Sequence, residues 1–333
     1  QKETTVNILR QSTPFCVVSA IALAALAVVR GFVAPNAAEA VGASGMPLAV
    51  WIEGCRNVGL GLYIPLTIVA VTLCLVNTLS ASLYNVDASG RSSLPLQVWV
   101  LAGCCVAFPM QSLSAYIGAW LMTVALKNIA KAYKRSYSFG PVFMASFMIG
   151  VLPLLYAPFA VLIVVLPLVW LLAKRTSREL LVGMLGVMLP LFISSYVGWV
   201  RGGYFGSVYR HLGSEFCRGG LFQSEAVGTL QIAVMVAWMA LAVTFSLGMI
   251  TSSRTMRSKA RVTGYIHIIL LGVLICTMSV GGSGLVVVPT LAVLLSQLAP
   301  KAFGKRFASL SSVVYLLFAA AAVCYNICLF FPR

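Results

Sequence analysis

Acidic side chains are scarce: Asp and Glu together number 7 in 333 residues, against 23 Lys and Arg. None of them falls in the middle of an apolar run. Proton- or sodium-coupled transporters usually place a carboxylate near the bilayer midplane, so this absence demotes coupled transport. Histidine is rarer still, with only His211 and His267, far apart in the chain. No Cys/His spacing suits zinc or haem, because Cys104 and Cys105 are adjacent rather than two residues apart, and no metal site is expected. Walker and dinucleotide fingerprints are missing, so nucleotide-driven chemistry has no motif to rest on. Charged residues of all kinds make up 9% of the chain, where a soluble domain carries about 25%.

What fills the space is apolar. Hydrophobic residues make up 60% of the sequence and the mean hydropathy is +0.98. Runs such as "PFCVVSAIALAALAVV" and "IPLTIVAVTLCLV" are too long and too uncharged for a soluble core. They lack the alternation of a membrane barrel, so an all-α, polytopic transmembrane helical bundle is expected. Spans are predicted near 15–34, 59–79, 94–113, 115–132, 141–155, 157–173, 181–200, 228–250, 262–280, 285–299 and 309–331. The segment 285–299 is short and follows "SVGGSG", which suits a re-entrant element, so the expected count is ten or eleven. Pro153 and Pro158 flank "LLYA" inside the apolar run 141–173 and predict two short helices joined by a tight turn.

The formal charge of +16 invites a polyanion, but the basic residues sit in short clusters at the ends of apolar runs, which is the positive-inside pattern. With a cytoplasmic N-terminus, 17 of the 23 basic residues fall inside. No nucleic-acid partner is expected. Clusters at 127–135, 254–261 and 301–306 would attract anionic headgroups, which makes membrane lipids the expected partners. Residues 1–333 read as one integral domain of a bacterial inner membrane, with no separate soluble domain. "AEA" at 38–40 also resembles a cleavage site, and removal of the first span would leave the orientation of the rest unchanged.

Two longer polar connections, 31–58 and 201–227, are assigned to the outer face. Arg201, Arg210 and Arg218, with Tyr204 and Tyr209, sit there against the charge preference, and Arg56 lies in the other connection. Guanidinium forks suit phosphate or carboxylate, so these residues are candidates for holding a lipid-linked pyrophosphate. The plainer reading is a solvated loop paired to Glu215 and Glu225. Glu53 and Glu39 are candidate general bases or carboxylates for a divalent cation; no other cofactor is evident. His211 is a candidate acid or base near neutral pH. Cys55 and Cys217, one in each connection, are candidates for a disulfide across them. His267 lies in lipid near the inner interface, a candidate proton relay or a simple interhelical hydrogen bond.

Residues 112–193 carry, in order, a helix ending in a basic cluster, a Phe/Gly-containing start to the next helix, "LLYAP" at a membrane turn, a basic "KRTSRE" loop and "MLGVMLP". This order resembles a family of uncharacterised polytopic inner-membrane proteins of the Bacteroidota. The resemblance implies location and architecture and no catalytic residue. Taken together, the residues suggest an envelope-biogenesis protein that handles a polyprenyl- or lipid-linked glycan at the periplasmic face, glycosyltransferase- or polymerase-like. Alternatives are a non-catalytic membrane subunit with protein partners, and a lipid or small-molecule flippase.

Overall fold

A computed structural model describes residues 45–58, 60–81, 113–134, 137–216, 258–279 and 284–287, with short pieces at 236, 240, 289–291 and 293–294. The described residues are helical, with no strand among them. In chain order they form α1 (Pro47–Val58), α2 (Leu60–Ala81), α3 (Leu113–Lys134), α4 (Phe139–Val151), α5 (Ala160–Leu172), α6 (Ser177–Val200), α7 (Ser207–Phe216) and α8 (Ser258–Ser279). Two stretches among them, Leu113–Tyr133 and Ser177–Val200, are long and apolar enough to cross a membrane; the other apolar helices are shorter. The expected spans 15–34 and 309–331, and most of 94–113 and 228–250, lie outside the described residues.

The break expected in 141–173 is present. α4 ends at Val151, a 3-10 turn covers Leu152–Leu154, a second covers Ala157–Phe159, and α5 starts at Ala160. Pro153 and Pro158 each sit in the first positions of a 3-10 turn, where the missing N–H costs nothing. The turn is buried from Leu152 to Phe159, and the Tyr156 and Phe159 rings meet edge to face at 5.6 Å.

Among the described helices, α4 and α6 pack backbone to backbone, and glycine is the reason. A Cβ on Gly150 would lie 2.6 Å from the Val187 carbonyl oxygen, and one on Gly186 would lie 2.8 Å from that of Phe143. The two backbones therefore touch, as small residues allow between apolar helices. Trp170 of α5 reaches the same layer and donates its Nε1–H to Ser146 Oγ of α4 at 3.2 Å.

α6 shows how its surroundings change along its length. Thr176 caps its start, accepting from the Glu179 N–H, while the Glu179 carboxylate accepts from the Thr176 N–H in return. Its exposed side chains are then aliphatic or Met from Leu181 to Leu189, Phe and Ile at 192–193, and Tyr196, Val197, Trp199 and Val200 in the last turns. Lys174 and Arg178 are exposed just before this face, and Arg201 just after it.

Two sequence expectations change. The connections 31–58 and 201–227 are not loops throughout: 47–58 and 207–216 are the helices α1 and α7. Both are amphipathic. In α7, Val208 is buried and Leu212, Glu215 and Phe216 are half-buried, while Tyr209, Arg210 and His211 face out. That i, i+4, i+7 spacing is a helical stripe.

Candidate functional site

α1 and α7 lie at one end of the bundle, over the buried turn 152–159. Met46 and Ala49 at the start of α1 pack with Ala157 and with Leu212 of α7. Val208 of α7 packs with Leu154 and Leu191. A Cβ on Gly45 would lie 2.7 Å from Glu215 Oε1, so the approach to α1 runs directly against α7. The described parts of the two connections, α1 and α7, therefore meet.

Arg210 stacks over the Tyr204 ring at 4.9 Å, and both side chains are exposed. The contact fixes a guanidinium at the surface without burying it, and a cation over an aromatic face at an exposed site is worth about 0.5–1 kcal/mol. Arg201 closes α6 and is exposed, as are Tyr209 and His211. Trp51, Tyr196 and Trp199 are exposed on α1 and the last turns of α6, with Tyr196 and Trp199 rings 6.0 Å apart. This end thus carries arginines, a histidine and amphipathic aromatics on a framework of short helices.

Glu53 occupies a different environment from the one its sequence position suggests. It lies half-buried in α1 rather than in a loop. Its Oε2 accepts from the Tyr63 hydroxyl at 2.7 Å and its Oε1 from the Ser114 N–H at 3.0 Å. The Tyr63 hydroxyl in turn accepts from the Leu113 N–H at 3.0 Å. Glu53 and Tyr63 therefore cap α3, a carboxylate at the positive end of a helix dipole. Both carboxylate oxygens are used in holding α1, α2 and α3 together, which accounts for an acid here without a reaction. Tyr63 is buried, so Tyr63→Phe strands the Leu113 N–H and is expected to cost about 1–2 kcal/mol, read as a lower melting temperature of the purified protein.

Of the other candidates, Arg56 lies in α1, and Cys55 beside it is a half-buried free thiol. Glu39, Cys217 and Arg218 lie outside the described residues, and with Cys217 lies the expected bridge to Cys55. His267 is buried in α8. No group of three or more His, Cys, Asp or Glu that suits a metal occurs among the described residues.

The polar cluster missing from the sequence-derived candidates is at the opposite end. Glu179 is 1% exposed and accepts from the Ser138 N–H at 2.8 Å, from Ser138 Oγ at 3.0 Å, and from the Thr176 N–H and hydroxyl at 3.0 and 3.1 Å. Arg175 lies 3.6 Å from it and donates to Ser138 Oγ. One carboxylate thus pins the start of α4 to the start of α6. "TSRE" is a capping-box signature, so the helix start was visible in the sequence; the bond to Ser138, 41 residues away, was not. No family model, curated protein or solved structure matches the chain.

Proposed function

We propose that the chain is a polytopic helical protein of a bacterial inner membrane, N-terminus cytoplasmic, crossing ten or eleven times. Its α1/α7 end then binds the phosphate of a polyprenyl- or lipid-linked glycan at the outer surface. The surface of α6 supports embedding: cations at 174 and 178, aliphatic side chains through the middle, then Tyr196, Trp199 and Arg201. That order follows a bilayer from headgroups through hydrocarbon to the aromatic belt. The family resemblance over 112–193 belongs to the same reading.

The observation that carries the binding role is the exposed Arg210 held on Tyr204, at the end of the bundle where the exposed Arg201 closes α6. A guanidinium parked on a ring and turned to the surface is preorganised for a phosphate arriving along the membrane plane. Glu53 serves this end as a cap. A second reading, a non-catalytic membrane subunit, is favoured by that same commitment of both Glu53 oxygens.

The test is binding of decaprenyl phosphate to the protein in phosphatidylcholine nanodiscs. Each charge-assisted hydrogen bond is worth about 1.5–3 kcal/mol, so Arg210→Ala and Arg201→Ala are each expected to weaken binding by roughly tenfold or more. Unchanged affinity in the double variant would sink the binding role. Stoichiometric co-purifying proteins in mild detergent, with no bound lipid phosphate, would establish the subunit reading instead.

A further inference from the structure

α6 packs tightly on α4 and only loosely on α5. The space between α5 and α6 is a shallow cleft of about 70 Å³, lined among others by Ile163, Leu166, Trp170, Gly183, Met184 and Met188. Gly183 forms part of its wall, where a Cβ would come within 3.2 Å of Trp170 Nε1. Nearly all of the lining is apolar, and the one polar group of Trp170 is already bonded to Ser146. Met184 and Met188 are about half exposed, so the cleft opens sideways onto the apolar face of α6.

Cations lie near one end of the cleft in the chain, though none lines it. Trp170 and Leu180 bring it to the turn that joins α5 to α6, and that turn carries Lys174, with Arg178 in the first turn of α6. Lys174 and Arg178 are both exposed, and Lys174 has φ 55°, a left-handed backbone that closes the hairpin. Arg175 between them is engaged by Ser138 and Glu179. From Leu180 to Met188 a helix rises about 12 Å, which fits inside one leaflet of a hydrocarbon core of about 30 Å.

We propose that this cleft is a binding site for an anionic phospholipid, its phosphate on Lys174 and Arg178 and one acyl chain lying between α5 and α6. The exposed cations of the adjoining turn, the apolar walls and the length agree with that occupant. The inference rests on the membrane-embedded reading of α6 and is independent of the Arg201/Arg210 end.

The protein in phosphatidylcholine nanodiscs is titrated with phosphatidylglycerol or phosphatidylcholine brominated on the acyl chain, and tryptophan quenching is followed. Phosphatidylglycerol is expected to quench preferentially. Trp170→Phe, which removes the reporter in the cleft, should abolish the headgroup-dependent part. Lys174→Gln and Arg178→Gln should each lower the preference about fivefold, the equivalent of about 1 kcal/mol per basic residue. Soluble glycerol phosphate should not compete. Equal quenching by both lipids, a preference that survives the double charge variant, or competition by glycerol phosphate overturns the proposal. So does a headgroup effect that persists in Trp170→Phe, which means surface attraction without a chain in the cleft. Failure to enter neutral nanodiscs at all overturns the membrane reading beneath it.

Discussion

Glu179→Ala is expected to destabilise the protein by about 3–5 kcal/mol, because removing one partner of a buried charged network leaves the rest unpaired. Glu179 is the shared acceptor for two backbone N–H groups and two hydroxyls. Its loss also removes the carboxylate that faces the Arg175 guanidinium at 3.6 Å. Glu179→Gln keeps the acceptor oxygen but puts an NH2 donor against groups that already donate, so it should fall between alanine and wild type. Arg175→Ala should cost less than Glu179→Ala, since Arg175 is less buried and supplies two hydrogen bonds, to the Ala173 carbonyl and Ser138 Oγ, with an ion pair longer than a direct hydrogen bond. Thermal unfolding of the purified protein, followed by the loss of helical circular dichroism, ranks the three. A Glu179→Ala protein that melts with wild type would show that the α4 and α6 starts are held by something else.

Gly150→Val is expected to be the most damaging substitution in the apolar layer. Its Cβ would have to occupy a position 2.6 Å from the Val187 carbonyl and 2.9 Å from both the Val187 Cα and the Pro190 ring. Two of those three atoms belong to the backbone, so no rotamer change relieves the clash and α6 must move away from α4. Overpacking of this kind costs about 1–3 kcal/mol, and the separation also weakens the Gly186 contact with Phe143. Gly140 is the control: it lies in α4 with nothing within 4 Å of a built Cβ. Gly140→Ala should be neutral or gain about 0.5–1 kcal/mol from helix propensity. Equal melting temperatures for Gly150→Val and Gly140→Ala would contradict the close approach of these helices.

The contrast between these two glycines shows what was legible beforehand. "MLGVMLP" marks small residues and a proline in an apolar helix, yet which neighbour they approach depends on α4 arriving from some 35 residues earlier. The break at Pro153 and Pro158 was readable because proline acts on its own backbone. α7 was hidden: Gly202, Gly203, Gly206 and Gly213 crowd the stretch, and their density outweighs the short stripe of Val208, Leu212 and Phe216. The juxtaposition of the two polar connections was anticipated from topology, and α1 and α7 do meet. Glu53 is the reverse case. Its residue type and position suggested chemistry, whereas its partner Ser114 is 61 residues away, and only tertiary structure turns the carboxylate into a helix cap.

The buried double turn between α4 and α5 has a consequence for the surrounding lipid. Each of these helices has 13 residues, about 20 Å at 1.5 Å per residue, well short of a hydrocarbon slab of about 30 Å. In an embedded protein the hairpin would leave a recess on one side, and α1 with α7 fills it where headgroups would otherwise descend. Such a shape creates hydrophobic mismatch along one flank only. The protein would then prefer thin membrane regions and sit with its filled flank where the leaflet is most compressed.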